Sequence, residues 1–125
     1  MLSEGARIIT DRSRRRELKA NYKERHPEAG VYAFRNTRNG KVLIGSTLNL
    51  ASMRNKLEFA RSTNSPGALD LRLRKEIEAY GVDAFELEIL ESFQPAPEMS
   101  NAEIRKELET VEQLHRERVE PQLLY

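Results

Sequence analysis

The sequence predicts an α+β domain, a small three-stranded, mostly antiparallel sheet flanked by helices. Residues 30–46 contain two runs rich in β-forming residues around an Asn39-Gly40 pair, which is the pattern of a β-hairpin. Segments with apolar residues at helical spacing follow, and one alternating segment among them supplies a third strand. The 125 residues suit a single domain.

The chain divides into an N-terminal arm and helix over residues 1–28 and a domain over residues 29–125. Residues 11–25 are good helix formers without Gly or Pro. Pro27 ends this helix, because the residue before a proline is disfavoured in the helical region. The domain therefore begins with the hairpin.

The hairpin places its side chains alternately on the two faces of the sheet. Because strand side chains alternate, Tyr32 and Phe34 are expected to share one face, and Val31 and Ala33 the other. The Asn39-Gly40 pair accepts positive φ at low cost and closes the turn.

The first predicted helix after the hairpin covers residues 49–61, and the second covers residues 68–80. Apolar residues recur in both at the spacing of one buried stripe. A break rich in Ser, Asn, Pro and Gly separates them, and Gly81 ends the second. The stripe residues are Leu50, Met53, Leu57 and Ala60, then Leu69, Leu73, Ile77 and Tyr80.

The last predicted elements are a strand over residues 84–91 and a helix over residues 100–119. Apolar residues alternate with glutamates in the strand, which is typical of a half-exposed strand. The helix begins with a capping box, Ser100 with Glu103, and ends before Pro121. Its buried seam comprises Ile104, Leu108 and Val111.

The composition excludes several classes of site. The chain has no cysteine, so disulfides, thiolate metal sites and thiol nucleophiles are ruled out. It has no run of about 18 apolar residues, as a membrane span requires, and its start lacks the apolar region of a secretory signal. We therefore expect a soluble, cytoplasmic protein with no membrane partner.

The formal net charge of +1 conceals an uneven distribution. Residues 1–28 carry 8 basic and 5 acidic groups, residues 29–81 carry 9 and 4, and residues 82–125 carry 4 and 11. A local positive field acts over about 8 to 10 Å, so the basic part can attract a polyanion. Head-to-tail pairing of two copies, or solvated helix faces whose signs segregate, explains the same distribution.

Two triplets of the hairpin carry a family signature. Gly30-Val31-Tyr32 is followed ten residues later by Leu43-Ile44-Gly45, and then by Ser46-Thr47 and Asn49-Leu50. Together with the stretch 76–91, this pattern resembles the GIY-YIG nuclease superfamily. The resemblance covers Gly30 to about Pro121, and it implies a GIY-YIG-like α+β fold.

The resemblance implies metal-dependent hydrolysis of DNA phosphodiesters. In the family, a divalent ion held by a helix glutamate and an arginine stabilise the transition-state charge, while a hairpin tyrosine helps to deprotonate water. Tyr32 matches that tyrosine, and Glu112 matches the metal-binding glutamate, with Glu109 close by. The implied cofactor is Mg²⁺ or Mn²⁺ if the protein is active, and none otherwise.

Three positions depart from the family pattern. Leu43 replaces the second motif tyrosine, and Met53 and Leu57 occupy the arginine and histidine positions of the following helix. Arg54 lies one residue away, rotated by about 100°, and with Lys56 it is a candidate for the missing cation. Losing one such group costs on the order of 3 kcal/mol of transition-state stabilisation, so we expect weakened or absent catalysis.

Three functions remain open. The favoured one is a domain that binds nucleic acid weakly, with nuclease activity reduced or lost, in which Tyr32, Arg54 and Glu112 do not converge in one cleft. The second is an active endonuclease that uses Tyr32, Arg54 or Lys56, and Glu112. The third is a protein-interaction module that docks a partner or second copy through its acidic C-terminal helix or N-terminal arm. With DNA as the expected partner, the predicted phosphate contacts are Arg14, Arg15, Arg16, Arg35, Arg38 and Lys41.

Overall fold

The computed structural model describes residues 26–65 and 67–125. The helix predicted over residues 11–25 lies outside them. The predicted α+β class is confirmed, because the described chain forms a three-stranded antiparallel sheet with three helices. No described helix has the length and apolar character needed to cross a membrane. The elements are β1 (Ala29–Asn36), β2 (Val42–Thr47), α1 (Leu50–Thr63), α2 (Arg74–Tyr80), β3 (Phe85–Phe93) and α3 (Asn101–Glu117).

The sheet has the order β2-β1-β3, and both pairings are antiparallel. β1 and β2 form the predicted hairpin, whose turn is closed by a hydrogen bond of 2.8 Å from Gly40 N to Asn36 O. Gly40 has a φ of 78°, which an L-residue rarely adopts. In this register Tyr32 pairs with Gly45, so the two family triplets lie side by side.

A β-bulge in β3 explains a break in its sequence alternation. The adjacent β1 residues Val31 and Tyr32 pair with Glu91 and Ile89, which leaves Leu90 as an extra residue. Ile89 packs against the core on one face of the sheet, and Leu90 packs against the core on the other face. The bulge thus allows one strand to contribute consecutive apolar residues to both faces.

Two apolar cores lie on opposite faces of the sheet. As the alternation predicts, Tyr32 and Phe34 share one face, with their ring centroids 5.2 Å apart. That face packs with α1, α2 and the segment before α2, and the other face packs with α3. The first core includes Tyr32, Phe34, Leu43, Met53, Leu57, Leu69, Leu73, Ile77 and Phe85, and the second includes Val31, Ala33, Val42, Ile44, Ile104 and Leu108.

The predicted start of the second helix is wrong. Asp70 is extended, with φ −163° and ψ 133°, and its Oδ1 accepts a 2.8 Å hydrogen bond from Arg72 N. A single 3₁₀ turn over residues 71–73 follows, and α2 begins only at Arg74. An aspartate that binds a nearby backbone N–H competes with helix formation and caps the next turn instead. Tyr80, predicted in the buried row, is 40% exposed.

The other helix boundaries agree with the sequence signals. Asn49 caps α1 through its side-chain oxygen, which accepts from Ser52 N. At α3, Ser100 and Glu103 form both hydrogen bonds of the predicted capping box. These caps satisfy backbone donors that an isolated helix end leaves without partners.

Candidate functional site

Tyr32 is the centre of the candidate site. Its side chain projects from β1 over the neighbouring strand, where it lies against Gly45 and is only 6% exposed. A Cβ atom at position 45 would lie 2.6 Å from the Tyr32 hydroxyl oxygen and 2.8 Å from Cζ. The second triplet therefore ends in glycine because any side chain there would displace the tyrosine ring.

Apolar side chains form the inner wall of the site. Leu43, Met53 and Leu57 are 2%, 8% and 7% exposed, and they belong to the same core as Tyr32. Burial raises the pKa of Tyr32 above its usual 10.0, the charges of Asp70 and Glu112 raise it further, and the charge of Arg72 lowers it. The Tyr32 hydroxyl is therefore protonated at neutral pH, which makes it a hydrogen-bond donor and a poor base.

α3 supplies an ion pair at the edge of the site. Arg116 Nη2 lies 2.8 Å from Glu112 Oε2 and donates a hydrogen bond of 2.7 Å to the backbone oxygen of Ile44. Ile44 immediately precedes Gly45, against which the Tyr32 hydroxyl packs. Arg116 thus connects Glu112 to the strand that carries the second triplet.

A second ion pair lies in the segment before α2, between Asp70 and Arg72. Arg72 Nε and Nη2 donate hydrogen bonds of 3.1 and 2.9 Å to Asp70 Oδ1 and Oδ2. These hydrogen bonds are the main cause of the lowered pKa of Asp70 and of the raised pKa of Arg72. The charges of Tyr32 and Glu112 also act on Arg72, so this arginine is a cation within electrostatic reach of both residues.

Sequence analysis did not select Arg72 as a site residue, because the helix predicted over residues 68–80 placed it outside the buried row. The available signal was Asp70, a preferred capping residue that follows a Pro- and Gly-containing break and precedes Arg72 by two positions. Recognising that cap would have moved the helix start and turned Arg72 away from a solvated helix face.

The two candidate cations of α1 lie in different places. Arg54 lines a shallow cleft of about 430 Å³ over β3, together with Arg61, Glu86 and Leu87. Lys56 is two residues along the helix, about 200° around its axis, and its charge lowers the pKa of Asp70. The structure thus brings Lys56, Asp70 and Arg72 to the side of Tyr32 and Glu112, and places Arg54 in the separate cleft.

The predicted phosphate contacts have different surroundings. Arg35 is engaged by Glu88 through two hydrogen bonds of 2.9 Å. Arg38 is exposed in the hairpin turn, and Lys41 Nζ lies 5.7 Å from the centroid of the Tyr125 ring. Arg14, Arg15 and Arg16 lie outside the described residues.

The residues present do not fit a divalent metal ion as they stand. One oxygen of Glu112 is bound to the Arg116 guanidinium, and the Asp70 carboxylate is bound to Arg72. Residues 26–65 and 67–125 contain no group of three or more Asp, Glu or His side chains arranged to hold a metal. Glu109, the neighbouring alternative, is exposed on α3.

Comparisons with known proteins give one structural likeness. No family model matches the sequence, and no curated protein matches it. Among solved structures, the chain is similar to the catalytic domain of the homing endonuclease I-TevI, with a TM-score of 0.45 and 23% sequence identity. The match covers 70% of this chain and 88% of that chain.

Proposed function

We propose that residues 29–125 form a GIY-YIG-type domain that binds nucleic acid weakly and whose nuclease activity is reduced or lost. The apolar packing around Tyr32 carries this proposal. Leu43, Met53 and Leu57 occupy the positions at which the family has a hydroxyl and two charged or proton-bearing groups, and all three are buried in the core. These positions hold the fold together and offer nothing to a reacting phosphate.

The remaining polar groups suit binding better than hydrolysis. Hydrolysis of a phosphodiester requires a base for the water and positive charge for the developing oxyanion. Tyr32 has a raised pKa, and Glu112 is engaged by Arg116. A neutral hydroxyl donor and exposed cations such as Arg72 and Arg38 are sufficient for contacts with a phosphate backbone.

Salt-dependent binding to DNA tests the proposal. Fluorescence anisotropy with labelled single- and double-stranded oligonucleotides, between 50 and 200 mM salt, should show weak binding that weakens steeply as salt rises. Neutralising about three phosphates gives a log-log slope of roughly −2 to −3. Binding that does not change with salt would contradict the electrostatic basis, and no binding to either oligonucleotide would refute the proposal.

An active, divalent-metal-dependent endonuclease is the second candidate. The observation in its favour is Arg72, a cation within electrostatic reach of both Tyr32 and Glu112. Labelled DNA should be incubated with the protein and Mg²⁺ or Mn²⁺, with Glu112→Ala as the matched control. Cleavage that Glu112→Ala abolishes would establish this candidate and overturn the loss of activity, whereas equal cleavage by both proteins would reveal a contaminating nuclease.

A further inference from the structure

Arg72 is the exposed cation next to the apolar wall of Tyr32. Its side chain is 59% exposed, while that of its partner Asp70 is 18% exposed. The two nitrogens bound by Asp70, Nε and Nη2, are the pair that an arginine presents to any two-oxygen anion. The carboxylate therefore occupies a binding geometry that a phosphate group also fits.

The backbone that carries Arg72 is firmly anchored. Leu69 and Leu73, on either side of the ion pair, are 3% and 0% exposed and pack in the same core as Tyr32. Asp70 Oδ1 also accepts the backbone N–H of Arg72, so the carboxylate keeps a second partner when the guanidinium leaves. The Arg72 side chain can thus exchange its partner without unfolding the turn.

The surrounding charges favour such an exchange. Lys56 carries a positive charge near Asp70 and adds to the attraction for an incoming anion. The neutral hydroxyl of Tyr32 adds a donor, whereas Glu112 is already neutralised by Arg116 at 2.8 Å.

We propose that Asp70 and Arg72 form a competitive latch, in which Asp70 occupies the guanidinium that binds a nucleic-acid phosphate and the phosphate displaces Asp70 on binding. This inference rests on the proposed nucleic-acid binding, and it assigns the phosphate contact nearest Tyr32 to Arg72. Asp70 then lowers the affinity of the domain for phosphate, because every phosphate must compete with it.

Three variants separate the latch from a general charge effect. Arg72→Gln removes the phosphate contact. Asp70→Asn removes the competing charge but keeps an amide oxygen that caps the turn, since asparagine caps as well as aspartate. Arg74→Gln is the matched control, because Arg74 is 63% exposed, two residues away, and paired with Glu78 at 3.7 Å.

Anisotropy with a labelled DNA oligonucleotide at low salt gives the readout. Arg72→Gln should weaken binding by about three- to tenfold and reduce the salt slope by about one. Asp70→Asn should tighten binding by about two- to fivefold, since a weak competing pair is removed. Arg74→Gln should stay within about twofold of the natural protein. Thermal melts verify folding, and Arg72→Lys, which keeps the charge and loses the two-point geometry, replaces Arg72→Gln if that variant unfolds.

The failure of the latch and the failure of the proposed function give different results. If the natural protein binds DNA and Arg72→Gln behaves like Arg74→Gln, or if Asp70→Asn weakens binding, the latch is refuted and the proposed function stands. If the natural protein does not bind DNA, the Arg72 Nε–H resonance is followed by NMR during titration with dimethyl phosphate. A shift that saturates at lower concentration in Asp70→Asn supports the latch, and an unchanged resonance overturns it.

Discussion

At the scale of single residues, Tyr32 shows how neighbours decide the chemistry of a side chain. A phenol on an open, wet surface next to a cation is easier to deprotonate than one among leucines. Here burial and two nearby carboxylates raise the pKa of Tyr32, and only Arg72 opposes them. The residue therefore contributes a packed ring and a neutral hydroxyl.

Leu43→Tyr tests whether the apolar wall is part of the core. Leu43 is 2% exposed and pairs across the hairpin with Phe34. A larger side chain with a buried hydroxyl should lower the free energy of unfolding by about 1 to 3 kcal/mol and should not produce cleavage. Leu43→Met, which nearly conserves volume, should cost less than about 1.5 kcal/mol in the same denaturation experiment. A stable Leu43→Tyr protein with metal-dependent cleavage would show that the site is an open, working one.

Gly45→Ala tests the close contact under the tyrosine ring. The added Cβ would lie 2.6 Å from the Tyr32 hydroxyl oxygen, so either the ring or the strand must move. We expect a loss of about 1 to 3 kcal/mol in the free energy of unfolding. Gly67→Ala is the control, because its Cβ would meet Leu71 Cδ2 at an ordinary 3.9 Å, and it should change stability by less than about 0.5 kcal/mol. Equal effects of the two substitutions would mean that the ring is not tightly held.

At the scale of elements, the last residues of the chain close the hairpin turn. Tyr125 N donates a 3.0 Å hydrogen bond to Val42 O, and its hydroxyl accepts from the side-chain amide of Asn36 at 3.1 Å. A weaker bond of 3.4 Å comes from Asn39. Asn36 is fully buried, so its amide depends on this partner.

Tyr125→Phe should therefore destabilise the domain out of proportion to the atom removed. It takes away the hydroxyl that accepts from buried Asn36, and an unsatisfied buried donor costs about 1 to 3 kcal/mol. Tyr80→Phe, at a residue that is 40% exposed, should remain within about 0.5 kcal/mol of the natural protein. Chemical denaturation of both variants provides the comparison, and a neutral Tyr125→Phe would show that the amide of Asn36 does not need this hydroxyl.

At the scale of the whole molecule, paired carboxylates make stability depend on pH. Hydrogen bonds from Arg72 and from Arg35 lower the pKa values of Asp70 and Glu88, whose usual values are 3.8 and 4.5. A lowered pKa contributes stability that is present above the usual value and is lost as pH falls through the folded value. The raised pKa of Tyr32 acts in the opposite direction, since its contribution is present below pH 10.0 and is lost above it.

We therefore expect unfolding free energy to be level between about pH 5 and pH 9 and to fall on both sides. Denaturation series at several pH values for the natural protein and for Asp70→Asn combined with Glu88→Gln test the acid side. The double variant should lose less stability on acidification than the natural protein. The same acid dependence in both proteins would mean that these two carboxylates do not govern it.

The sequence alone determined the elements whose signals are local. An Asn39-Gly40 turn between β-forming runs and the Ser100-Glu103 capping box depend on neighbouring residues, and the structure confirms both. The shared face of Tyr32 and Phe34 follows from strand alternation, which needs no partner. The sheet therefore emerged from local chemistry.

Only the tertiary structure decided the surroundings of the candidate site. The sequence marked Tyr32 and Glu112, but Arg72 reaches them because Asp70 interrupts a helical pattern and the core then holds the turn in place. The separate locations of Arg54 and Lys56 likewise depend on how α1 is rotated against the sheet. Electrostatic interactions depend on distances in space between residues far apart in the chain, and residue spacing along the sequence does not contain those distances.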